Sequence, residues 1–82
     1  MSYDYTVHRK DVFTERGVEI LLQVRDDANR LLDTSGAFLA AYVMKSGDSW
    51  TILACLDYMV ERGEIREITN DVWAQNRVFV RG

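Results

Sequence analysis

Proline is absent from all 82 residues, and cysteine and histidine occur once each. Without proline the chain has none of the usual domain punctuation, which suits one domain of mostly regular structure. The lone thiol of Cys55 excludes an internal disulfide framework and makes a reducing cytoplasm the expected compartment. One Cys and one His cannot build a structural zinc site. Cys55 and His8 stand in separate segments with no third orienting group, and no glycine-rich phosphate loop occurs. Acid pairs such as Asp26–Asp27 match a solvated helix face and not a general acid/base pair. No catalytic residue, metal or cofactor is therefore expected. The longest apolar run, Ala37 to Met44, is too short to span a bilayer, and the polar opening Met1–Thr6 does not read as a signal peptide. A positive excess is missing too: ten Lys and Arg against thirteen Asp and Glu give a net charge of −3, which argues against life on bulk phosphate attraction.

What is present is the balance of an ordinary globular domain, 48% hydrophobic and 28% charged, so disorder is not expected. A chain this short buries only roughly 60–65% of its unfolded surface, too little for a large enclosed active site.

Residues 1–13 read as an N-terminal arm or a short strand, because Tyr3, Tyr5 and Val7 alternate with Asp4, Thr6 and His8. Three helices are expected over 14–62. Thr14 is a good N-cap for the first, with Phe13 and Val18 placed as a hydrophobic staple. Its apolar residues, from Val18 through Leu22 to Leu32, cover an arc of roughly 200°, wider than the stripe of about 100° that one docking surface needs. That excess predicts clasping by two elements or by a second chain, hence a homodimer. Arg25 falls inside the arc and must snorkel or find an acid. Thr34-Ser35-Gly36 ends this helix, and Ala37–Met44 reads as a short second one. After a turn at Lys45-Ser46-Gly47, Asp48 or Ser49 caps a third helix that runs to about Arg62, with Gly63 where a left-handed C-terminal residue belongs. Ile52, Leu53, Leu56, Met59 and Val60 share its inner face. Ile65–Thr69 and Arg77–Arg81 then form a β-hairpin with its tip at Asn70–Asn76.

Leu39 to Ile68, which ends in "LDYMVERGEIREI", together with the closing "NRVFVR", resembles the winged helix-turn-helix family in its small stand-alone bacterial or phage form. The resemblance implies a mostly α fold with a small antiparallel hairpin (α+β), in which the third helix reads the major groove and residues 64–81 form the wing. By matching position, Ser49, Trp50, Thr51, Ala54, Asp57, Tyr58 and Glu61 form the groove-facing side. Trp73, Gln75, Asn76, Arg77 and Arg81 belong to the wing, while His8, Arg9 and Lys10 make a possible basic arm for phosphates.

Two functions follow. A DNA-binding transcriptional regulator is what the resemblance implies. The alternative is a protein-interaction module, an adaptor or an inhibitor of a host factor, that uses its acidic and aromatic face without binding DNA. Charge favours the second: Asp48, Asp57, Glu61, Glu64, Glu67 and Asp71 face only Arg62 and Arg66 across that stretch, and phosphate contacts supply most of the affinity for DNA. Trp50 and Tyr58 either anchor a partner or, for Trp50 above all, fold back onto the wing or first helix. Trp73 either packs across its own strands or is the wedge that touches a partner.

Overall fold

The structure, a computed structural model, describes residues 3–45 and 48–82. Ser46 and Gly47, two of the three residues of the expected inter-helix turn, lie outside the described residues.

The N-terminal segment is helical. Asp4 caps α1 (Tyr5–His8) by accepting from the Thr6 amide, and a 3-10 helix, Arg9–Phe13, follows directly. An Asx-type cap thus overrides the period-two pattern that suggested a strand. α2 (Glu15–Ser35) begins as expected, with the Thr14 hydroxyl accepting from the Gly17 amide at 2.9 Å. Its 21 residues rise about 31 Å, which matches the 30 Å long axis of the molecule. Ile20, Leu21, Val24, Ala28 and Leu32 face the core, while Val18 and Leu22 stay exposed. The excess apolar arc is therefore not clasped within one chain. The staple pairing is not buried either, since Phe13 turns its ring edge-on to Tyr58 at 5.3 Å. Gly17 is buried because α2 lies against the 3-10 turn so closely that a Cβ would strike the Asp11 carbonyl.

The second helix expected over Ala37–Met44 is not formed. Ala37–Leu39 is a strand, β1, and Ala40–Tyr42 one turn of 3-10 helix. A helix of eight residues is marginal by itself, and this segment has a better use for its backbone. It pairs antiparallel with β3 (Val78–Arg81), Phe38 opposite Phe79, and the two rings stack at 5.4 Å. Ala40 then donates to the Arg77 carbonyl at 2.8 Å.

α3 (Ser49–Glu61) ends in a Schellman motif: the amides of Gly63 and Glu64 bond the carbonyls of Val60 and Met59, with Gly63 at φ 77. β2 (Ile65–Glu67) pairs antiparallel with β3, and β3 is the central strand of a three-stranded sheet in the order β1-β3-β2. The expected hairpin is thus present, with shorter strands and a third strand added at its other edge. α2, α3 and the sheet close over Leu53, Leu56, Met59 and Phe79, with Val12 of the 3-10 turn sealing one end. Arg25 finds an acid, binding Glu64 through two hydrogen bonds of 2.7 and 2.9 Å. The fold is mostly helical α+β and winged-helix-like in its arrangement of α2, β1, α3 and hairpin, with the expected second helix reduced to one turn. Among the described residues, no helix is long and apolar enough to cross a membrane.

Candidate recognition surface

The outward side of α3 is covered by residues 3–9. The Tyr3 hydroxyl donates to Asp57 Oδ2 at 2.6 Å, and the Tyr5 hydroxyl donates to Glu61 Oε1 at 2.7 Å. Arg9 grips both oxygens of Glu61, at 2.9 and 2.7 Å, and its guanidinium also lies over the rings of Phe13 and Tyr58. The His8 ring meets Trp50 edge-on at 4.8 Å and stacks on Tyr3. Trp50 does fold back, as one reading allowed, but onto this N-terminal strap. Ala54, placed on the outward side by the helical wheel, is fully buried. Ser49 and Thr51 are half-buried in the first turn of α3, where with His8, Asp11, Asp48 and Trp50 they line an open hollow of about 440 Å³.

The strap's chemistry is visible in its protonation. Arg9 beside it, and then the Tyr5 hydroxyl, hold the Glu61 carboxyl down at about 2. Burial, and then the carboxylate of Glu61, push Tyr5 up to about 12. Burial followed by the bond to Asp57 raises Tyr3 further still.

The wing is split into a closed base and an open tip. Arg77, expected to clamp a DNA backbone, is only 14% exposed and bridges Asp57 at 2.6 Å and Glu67 at 2.8 Å. Desolvation works against its charge, yet the two carboxylates outweigh it and raise its pKa. Thr69 completes the base by donating to Glu67 and accepting from the Val78 amide. Beyond it the tip carries Trp73 at 77% exposure, with Ile68, Val72, Gln75 and Asn76 also exposed. Trp73 does not pack across its own strands. Arg81, at the far end of β3, reaches back to Asp33 and Asn29 on α2.

Among the described residues, Arg9, Arg16, Arg25, Arg30, Lys45, Arg77 and Arg81 lie within ion-pair distance of a carboxylate. A cleft of about 500 Å³ between α2 and Val43, Lys45 and Ile52 is rimmed by charges that neutralise one another, Arg16 with Asp48, Lys45 with Asp27, and Arg30 with Asp26 and Asp27. Cys55 is buried under α2, its Sγ 3.8 Å from the Gly17 carbonyl, and burial pushes its thiol up to about 11. Among the described residues, no group of three or more His, Cys, Asp or Glu is placed to hold a metal ion.

Reasoning from sequence missed Tyr3, Tyr5 and Phe13 as partners of α3. The available signal was the pair Asp57 and Glu61, two acids one turn apart on a face otherwise short of charge, which called for donors from elsewhere in the chain. No family model matches the chain, and neither a curated protein nor a solved structure matches it.

Proposed function

We propose that this chain is a winged-helix-like protein-interaction module, an adaptor or inhibitor, that does not read DNA. The observation that carries this reading is the contrast within the wing: Arg77 is locked between Asp57 and Glu67, while Trp73 stands 77% exposed on a tip with no cation. A DNA-reading wing needs the reverse, because phosphate contacts hold the complex and bare apolar side chains do not. An exposed tryptophan flanked by Ile68 and Val72 is the composition of a protein contact. The tip's one charge is Asp71, so it suits an apolar pocket with a positive rim on the partner. Lys10, Arg62 and Arg66, which make no ion pair among the described residues, are too few to supply a phosphate track. Pairing with a second copy is proposed along exposed Phe13, Val18 and Leu22. It is a weak pairing, because three side chains fall well short of the roughly 800 Å² per partner of a stable interface.

Titration of labelled random duplex into the protein at low and moderate salt tests the reading. No binding at low salt is expected, and binding that falls steeply as salt rises overturns it. Affinity capture with the intact chain and with Trp73→Ser supplies the second arm. A protein retained by the intact chain and lost with the variant is expected, whereas retention of the same proteins by both excludes the tip as the contact.

A further inference from the structure

The strap covers α3 with partly buried rings and charged or hydroxyl groups. No side chain of α1 is fully buried, and among the described residues the first fully buried one is Val12, at 1% exposure. Among the described residues before it, the rings of Tyr3 and Tyr5 pack on the core while only partly buried, and the rest of the fastening is hydroxyl and guanidinium contacts to Asp57 and Glu61, with the His8 ring against the edge of Trp50. A segment held by two partly buried rings and half-exposed polar contacts opens at a lower free energy than elements that carry fully buried side chains. What opening uncovers is one coherent surface: Asp57 and Glu61 one turn apart, flanked by Trp50 and Tyr58, all positioned by the helix that also carries Leu53 and Leu56 into the core. Carboxylates beside aromatic rings accept hydroxyl and guanidinium donors and stack on cations. The strap supplies that chemistry from within.

We infer that the outward face of α3 is a docking site for a segment of another protein that presents two tyrosine hydroxyls and an arginine at the spacing of Tyr3, Tyr5 and Arg9, and that residues 3–9 occupy it in cis. The strap is then an internal competitor, and the face's apparent affinity is lowered by the fraction of molecules in which the strap is closed. This surface is separate from the tip around Trp73, so either can fail without the other. Charge complementarity selects the occupant: nucleic acid is repelled by Asp57 and Glu61, and an acidic segment equally so.

The test uses the full chain and a fluorescently labelled synthetic peptide with the sequence of residues 3–10. Tyr5→Phe with Arg9→Ala loosens the strap and leaves the face intact. This variant is expected to bind the peptide about tenfold more tightly than the unaltered chain, and adding Glu61→Gln removes the gain. Equal affinity in the two forms, no affinity in either, or a loosened variant that pairs with itself by exchanging straps in sedimentation overturns the inference. Hydrogen exchange on the unaltered chain keeps it exposed to refutation even if the variant fails to fold. Amides of residues 6–9 are expected to exchange at least about tenfold faster than those of α2 and α3, and protection equal to the core's contradicts a strap that opens.

Discussion

Trp50 and Trp73 are the two tryptophans of the chain, and they meet opposite fates on the two surfaces where recognition was expected. Trp50, on α3, lies half-buried under the strap with His8 against its edge, while Trp73, on the loop between β2 and β3, is exposed over most of its surface. The acids and cations divide in the same way. On α3, Asp57 and Glu61 are met by Tyr3, Tyr5, Arg9 and Arg77; on the tip there is only Asp71. The difference shows that an aromatic or acidic face on a presumed recognition helix is open only when the rest of the chain has nothing to lay across it. Here residues 3–9 do so, and the aromatic side chain left exposed is the one on the loop.

The largest way to break this contrast is Arg77→Met, which leaves Asp57 and Glu67 half-buried without their shared cation. A loss of about 3 kcal/mol in urea unfolding is expected, since removing one member of a buried pair strands the other charge. Arg77→Lys recovers only part of it, because an ammonium cannot span both carboxylates as a guanidinium fork does. Gly17→Ala comes next. Its Cβ would collide with the Asp11 carbonyl, which is backbone and cannot swing away, so the 3-10 turn must lift off α2. About 2 kcal/mol of destabilisation is expected in the same assay, together with greater solvent access to Trp50.

A change of pH sharpens the contrast without mutation. The Glu61 carboxyl is held down from 4.5 to about 2, so its contribution to the closed strap is complete above pH 4.5 and is lost as pH falls through about 2. Tyr5 is raised from 10.0 to about 12, so its contribution is complete below pH 10 and is lost as pH rises through about 12. Access of neutral acrylamide to Trp50 is expected to stay constant between these limits and to rise beyond them, while its access to Trp73 does not follow the strap. The smallest effect is expected from Trp73→Ser, within about 0.5 kcal/mol of the unaltered chain, because an exposed side chain with no core contact contributes little to stability.

Local signals made much of this architecture legible in advance. The Thr14 cap and Gly36 delimit α2, Gly63 ends α3, and the β-prone runs on either side of Asn70–Asn76 form the hairpin. Two features depended on contacts that local pattern does not carry. Ala37–Met44 is apolar enough for a short helix or a buried strand, and the choice was made by the free edge of β3, some forty residues away. The strap was misread because Tyr3 and Tyr5 alternate like strand residues, whereas their hydroxyls are spaced to reach two acids on α3 more than fifty residues on. Asp57, Tyr58 and Glu61 do lie outside the core, but Ala54, expected beside them, is buried, and the strap rather than solvent meets the two acids.

The most direct check on the covered face compares two single-tryptophan proteins, Trp73→Phe and Trp50→Phe, by iodide quenching of fluorescence at neutral pH. The account predicts that Trp50 is quenched several-fold less than Trp73, and that Arg9→Ala narrows the gap by exposing Trp50 alone. Equal quenching of the two in the unaltered strap background would mean that α3 is open, and the account would be wrong.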